Sequence, residues 1–201
     1  VTRVKVCGMT RPEDVEQAVA AGADMVGFVL VEWSPRAVDV ETARGLRRLV
    51  PRGVEAVGVL ADATVGGAAR ILEETGLDRV QVYGPHAAET REILGERAIV
   101  ACRLPADAPP AGDPVLVDRA FGDEPTADEL AAHWAAAAEL GAAGRQVLLA
   151  GALTPESVGA AVRAARPWGV DVARGVEREP GVKDHSKVAA FIAAARQGET
   201  A

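Results

Sequence analysis

Eight short runs of β-branched residues alternate from end to end with longer Ala/Leu/Glu/Arg-rich stretches, and several of the runs are continuously apolar. A chain of 201 residues with no Ser/Gly-rich or charge-blocked linker carries them all. Together these features predict an α/β fold, a (β/α)8 TIM barrel forming one domain over residues 1–201. The expected strands are 3–7, 25–30, 54–60, 79–82, 99–102, 115–118, 146–149 and 169–172. Runs such as Val115-Leu116-Val117 and Val147-Leu148-Leu149 fit strands covered on both faces. An open doubly wound sheet is the alternative, but it would leave two unpaired edges, and no GxGxxG fingerprint is present.

Helix signals fall between the strands. Thr10-x-x-Glu13 reads as a capping box with Pro12 in the first turn, and Thr154-Pro155-Glu156 and Asp184 read as later helix starts. The expected helices run to about 21, then over 41–49, 65–75, 87–94, 126–140, 155–165 and 184–196. The fifth crossover, 104–113, is short and rich in proline. It should be a loop, leaving seven outer helices around eight strands.

Composition narrows the function. The chain is 49% hydrophobic and 25% charged, with a mean hydropathy of +0.09, as expected of a globular protein. No apolar run is long enough to cross a membrane, and the first residues show no signal-peptide pattern, so a cytoplasmic location and no membrane partner are expected. A net charge of -7 argues against nucleic acid. An anionic ligand would then have to be held by local devices, namely helix N-termini and arginines. Cys7 and Cys102 are the only cysteines. They should lie too far apart to pair, and no Cys/His cluster suggests a metal. His86, His133 and His185 lie in or beside expected helices without metal spacing and are read as solvated surface.

In such a barrel the reactive residues follow the apolar runs, at the C-terminal ends of strands. That rule selects Cys7, Arg36, Gln81, Asp118 and Asp171. Each also has a structural reading: a buried small hydrophobe for Cys7, a turn cap for Asp118, a solvated loop residue for Arg36, and a hydrogen-bonded amide for Gln81. The turns after strands 7 and 8, with Gly151-Ala152 and Arg174-Gly175, form a candidate phosphate site in which glycine lets the backbone approach the anion.

Read together, the motifs resemble the phosphoribosylanthranilate isomerase family along nearly the whole chain. The matching segments are KVCGMT, GADMVGFVLVEWSPRAV, VQVYG, VLVDR, AGALTPESV and VDVARGVEREPGVKDHSKVAAFI. The resemblance implies the tryptophan-pathway isomerase reaction, a cofactor-free and metal-free Amadori rearrangement of a phosphorylated aminosugar. In it Cys7 is the general base and Asp118 the general acid, and Arg36 is associated with the anthranilate carboxylate. Such roles would require the Cys7 thiol to be lowered and the Asp118 carboxyl raised from their ordinary ranges, about 8.5 and 3.9. Gln81, Tyr83 and Asp171 are further expected substrate contacts, and a monomer is the expected state.

The chain also departs from the family. Tyr83 stands for the usual histidine, Leu60 for a phenylalanine, Ala152 for a second glycine and Arg174 for a serine, and the glycine-rich stretch after Asp118 is replaced by residues 119–129. Arg174 could offset these changes as a direct phosphate partner. The departures keep open a related N-ribosylated amine as substrate, in specialised metabolism. A non-catalytic binding protein on the same fold is also open. A sister synthase would need a lysine at a strand end, and no expected strand ends in one.

Overall fold

The computed structural model describes residues 1–119 and 124–199; the expected loop residues 120–123 lie outside them. Eight parallel strands close into a barrel in chain order: β1 (Arg3–Cys7), β2 (Met25–Val29), β3 (Glu55–Ala61), β4 (Arg79–Tyr83), β5 (Ala98–Leu104), β6 (Val115–Arg119), β7 (Val147–Leu149) and β8 (Gly169–Val172). The seam between β1 and β8 sets Lys5 beside Asp171 and Val6 beside Val172. Seven helices surround it: α1 (Pro12–Ala20), α2 (Val40–Arg47), α3 (Val65–Thr75), α4 (Ala87–Leu94), α5 (Ala127–Ala142), α6 (Val158–Ala165) and α7 (His185–Gln197). The fifth crossover has no helix, as its prolines require. Two short strands the sequence did not suggest, β9 (Glu177–Glu179) and β10 (Val182–Lys183), form a hairpin between β8 and α7.

The alternation of strand side chains sorts residues into two layers. Outward residues such as Val4, Val6, Val26, Phe28, Val80, Val115 and Val117 pack against the helices. Inward residues Met25, Val57, Ile99, Ala101, Leu116 and Leu148 fill the barrel. At the strand starts the interior is closed by charge: Glu55 holds Arg3 at 3.2 Å and Arg79 at 2.9 Å, and Arg3 stacks on Trp168. At the strand ends the same inward register carries Cys7, Tyr83, Asp118 and Asp171, so the polar residues collect at one mouth.

Several local expectations need correction. Thr10 does not cap α1. Its hydroxyl donates to Gly181 O at 2.5 Å in the β9–β10 hairpin, and the N-cap position falls on Arg11. A true capping box forms instead at Thr126 and Glu129, opening α5. The helix expected from 155 begins at Val158, because Ser157 Oγ takes the Thr154 N–H at 3.0 Å and holds the preceding residues in a turn. His133 is not solvated, and His185 is half-buried. His133 is buried, with Nε2 2.9 Å from Ala150 O, tying α5 to the end of β7, and burial lowers its pKa. His185 bonds Asp14 at 2.8 Å.

Asp14 is the clasp between the first and last helices. Its fully buried carboxylate accepts from Arg11 at 2.7 Å, from His185 and from the Lys183 backbone N–H. Burial opposes that charge, but these bonds outweigh it and lower the carboxyl below its ordinary value. A depressed acid stabilises the fold above the unfolded pKa of about 3.9 and loses that contribution as pH falls through its folded value. Asp14→Asn should therefore cost about 1–3 kcal/mol near neutrality. In urea titrations the deficit should shrink as pH is taken below about 4; a deficit independent of pH would contradict this account.

The β7–α6 turn places Gly151 at φ +93° and Ala152 at φ +55°. A left-handed alanine costs about 1–2 kcal/mol, of which added unfolded-chain entropy for glycine returns about 0.4–1. Ala152→Gly should thus raise unfolding stability by about 0.5–1 kcal/mol. A loss of stability in urea melts would show that the turn is relaxed with alanine.

Candidate active site

The strand ends enclose a cavity of about 370 Å³. Among the residues lining it are Arg36, Tyr83, Asp118, Asp171, Gly151, Ala152, Arg174 and Gly175, so eight of the ten sequence-selected positions share one mouth. Cys7 and Gln81 are set back from it, 6% and 2% exposed.

Cys7 ends β1 in register with Gly27 of β2. A Cβ on Gly27 would stand 2.6 Å from the Cys7 sulfur, so the glycine makes the thiol's space. Two residues earlier on the same face, Lys5 is fully buried and pairs with Asp171 at 2.8 Å. Burial alone would lower Lys5, but Asp171 and Cys7 more than offset it and lift it to about 12, so it is a fixed cation. Cys7 does not meet the expectation of a lowered thiol. Burial pushes it up, and the Lys5 ammonium pulls against that without overcoming it. The cation is shared with Asp171, whose own charge opposes a thiolate.

The Asp118 carboxyl is raised above its ordinary range. Burial raises its carboxyl, with the Asp171 charge acting in the same direction, against the Arg119 backbone N–H at 2.8 Å, Arg103 and Tyr83. Tyr83 Oη lies 3.3 Å from Asp118 Oδ2, and Gln81 Nε2 lies 3.3 Å from Tyr83 Oη. Burial and the Asp118 and Asp171 charges hold the Tyr83 phenol well above its ordinary range, so it stays protonated. Arg103 stacks over its ring at 4.4 Å.

The two glycine-bearing turns meet at one edge. A Cβ on Gly175 would lie 2.0 Å from Leu153 O, and one on Gly151 would lie 2.7 Å from the Arg119 side chain. Glycine at both positions is what lets the loops close together. Arg174 and Gly175 open a single 3-10 turn (Arg174–Val176), and the exposed Arg174 has no ion pair among the described residues. Arg36, by contrast, is held: Nε and Nη2 bond the two oxygens of Glu177 at 2.9 and 2.6 Å. Glu177 also accepts from the buried Lys183 at 2.8 Å. Burial would raise Glu177, but these two cations keep it ionised.

Sequence reasoning missed Arg103, Arg119, Lys5, Glu177 and Lys183. Inward alternation could have found the first and third: Arg103 continues Ile99 and Ala101, and Lys5 precedes Cys7 by two. Lys183 had no such signal, because its burial depends on the unforeseen hairpin. Among the described residues no group of three His, Cys, Asp or Glu side chains is arranged to hold a metal, and no helix is long and apolar enough to cross a membrane.

Comparison with known proteins gives this mouth its context. Residues 4–194 match the family model for N-(5'-phosphoribosyl)anthranilate (PRA) isomerase. The chain is 39% identical over 202 residues to N-(5'-phosphoribosyl)anthranilate isomerase of Pseudomonas fluorescens, covering 96% of this chain and 98% of the relative. The fold matches phosphoribosyl anthranilate isomerase from Thermus thermophilus with a TM-score of 0.83 at 34% identity, covering 96% of this chain and 98% of that one. A further isomerase structure, in complex with reduced 1-(o-carboxyphenylamino)-1-deoxyribulose 5-phosphate, superposes with a TM-score of 0.80 at 30% identity over 98% and 99% of the two chains. With sequence and fold matched along nearly its full length, the chain belongs to the N-(5'-phosphoribosyl)anthranilate isomerase family.

Proposed function

We propose that this mouth performs the family's aldose-ketose isomerisation with Asp118 as general acid and Cys7 as general base. The supporting observation is a buried thiol and a half-buried carboxyl on non-adjacent strands, β1 and β6, the carboxyl lining and the thiol set back from one cavity that ends in two close-packed glycine turns. The substrate is N-(5'-phosphoribosyl)anthranilate. Its phosphate sits on the backbone N–H groups of Gly151, Ala152, Arg174 and Gly175, with the Arg174 guanidinium as added charge. Arg36 meets the aromatic carboxylate through the donors that Glu177 leaves uncommitted, since an arginine has five N–H groups.

The steps balance. Asp118 protonates the furanose ring oxygen, and the ring opens to an iminium. The Cys7 thiolate takes the proton from the adjacent carbon, giving the enolamine. Ketonisation adds a proton at the former anomeric carbon and releases one from the neighbouring hydroxyl, which restores Cys7 and Asp118. No metal or organic cofactor enters this scheme.

A free carboxyl, at about 3.9, lies below a free thiol, at about 8.5, and burial raises both here, so the active form pairs a protonated Asp118 with an ionised Cys7. The rate then has a plateau, with Asp118 setting its low-pH edge and Cys7 its high-pH edge. We further propose that one barrel is a complete working unit in the cytoplasm, because acid, thiol and phosphate turns belong to one chain; the Thermotoga maritima relative is dimeric.

Cys7→Ser and Asp118→Asn should each lower kcat by about 10²- to 10⁴-fold on N-(5'-phosphoribosyl)anthranilate, with thermal unfolding little changed. Growth of a tryptophan auxotroph lacking this isomerase should be restored by the wild-type chain and by neither variant. Normal turnover by either variant removes that residue from the mechanism, and failure of the wild-type chain would point to another N-ribosylated amine. Arg174→Ser should weaken binding of the reduced product analogue about tenfold, or about 1.4 kcal/mol. Unchanged affinity in calorimetric titration would show that the backbone alone holds the phosphate.

A further inference from the structure

Tyr83 stands where the family motif carries histidine, and its hydroxyl has two side-chain partners. It lies 3.3 Å from Asp118 Oδ2 and 3.3 Å from Gln81 Nε2, bridging a fully enclosed amide and the acid. The other oxygen of Asp118 already accepts the Arg119 backbone N–H at 2.8 Å. Gln81 Oε1, on the same amide, is buried and without a partner among the described residues.

Those contacts have a directional consequence. When Asp118 is ionised, Gln81 Nε2 donates to Tyr83 and Tyr83 donates to Asp118. When Asp118 carries its proton on Oδ2, the carboxyl can donate to Tyr83 and Tyr83 to Oε1, provided the Gln81 amide turns over. Either direction leaves one end of the amide unmet, at similar cost, so neither is locked. A buried carbonyl with no partner is what a chain that must run both ways requires. Both bonds are also long for hydroxyl hydrogen bonds, which leaves Asp118 slack to turn toward a ring oxygen.

We propose that Gln81 and Tyr83 form a reversible hydrogen-bond chain that positions Asp118 and receives its charge as it gives up its proton, making Tyr83 a positioning residue of the acid. This rests on Asp118 being the acid. The other charged or titratable groups facing Asp118 are Cys102 and Arg103 of β5, Arg119 of β6, His133 of α5 and Asp171 of β8. Of these Arg103 is coupled to the chain by its stacking on the Tyr83 ring. Asp171 opposes the charge on Asp118, so a donor from Tyr83 has a definite load to carry.

The test is the pH dependence of kcat with N-(5'-phosphoribosyl)anthranilate. Removing a donor from a carboxylate raises its pKa, so Tyr83→Phe should move the low-pH edge upward by about one unit, a tenfold change in the protonation equilibrium, with KM within about twofold of wild type. Tyr83→His, which keeps a ring N–H, should bring the edge most of the way back. Gln81→Leu should move it in the same direction by less, and gives the same readout if Tyr83→Phe does not fold. An edge that stays at its wild-type position overturns the proposal. So does a rise in KM with an unmoved edge, which would make Tyr83 a substrate contact. Asp118→Asn separates the two claims: loss of the low-pH edge together with at least a hundredfold of kcat upholds the acid assignment even if Tyr83 proves inert, whereas normal turnover of Asp118→Asn sinks both.

Discussion

The Lys5–Asp171 ion pair sits on the seam where β1 closes against β8, and the mouth is organised around it. Taking two charges out of water costs several kcal/mol each, repaid only where geometry is good and remaining bonds are met. Here the strand register itself sets the two residues side by side on the inner face of the barrel. The pair then fixes three things at once. It places a permanent cation beneath Cys7, gives Asp171 a set orientation on the cavity wall, and puts a negative charge between thiol and acid. That negative charge opposes ionisation of Cys7, Tyr83 and Asp118 alike.

Much of this was legible in the sequence because a barrel has a simple code. Apolar runs mark strands, the two-residue period marks which side chains point inward, and the last inward residue of each strand marks the mouth. Cys7, Asp118 and Asp171 were found that way, and the proline-rich fifth crossover was recognisable as a loop because proline cannot sustain a helix interior. Arg103 is within reach of the same code, but the expected strand ends at Cys102, two residues short of the end of β5 at Leu104. What the code does not contain is the hairpin β9–β10. Its residues alternate no more clearly than a loop, and its role is tertiary: Gly181 takes the Thr10 hydroxyl, so a threonine that looks like a helix cap serves as a clamp. Glu177 and Lys183 were illegible for the same reason. Their burial exists only once the hairpin has folded.

The hairpin also changes what Arg36 can be. From sequence it is a cation waiting for a carboxylate. In the structure it already has one, Glu177, in a two-point fork whose acceptor is tied in turn to Lys183. Two cations around one carboxylate leave a net positive cluster. In the proposed role of Arg36 an incoming carboxylate would be attracted without displacing Glu177 and would meet an arginine whose plane is already set. Preorganisation of this kind lowers the ordering cost of binding. It also reconciles an overall charge of -7 with an anionic substrate: Arg36, Arg103, Arg119 and Arg174 all line the mouth, so attraction is local while the rest of the surface is acidic.

The raised thiol follows from the same architecture. Where a proposed base titrates above its proposed acid partner, the product of the two reactive populations is flat between the two pKa values. What the site gains is intrinsic reactivity: a thiolate of high pKa is a stronger base, and a carboxylic acid of lower pKa is a stronger acid, so each rare form reacts faster. Bringing the two values together would enrich the active pair and weaken both members of it. Burial by the barrel wall raises the thiol and the carboxyl alike, and the donors around Asp118 oppose that rise without cancelling it. The hydrogen bonds to the carboxylate, from Arg119 and Tyr83, are the adjustable side of the pair, because the surroundings of the sulfur are fixed by the register of β1 on Gly27.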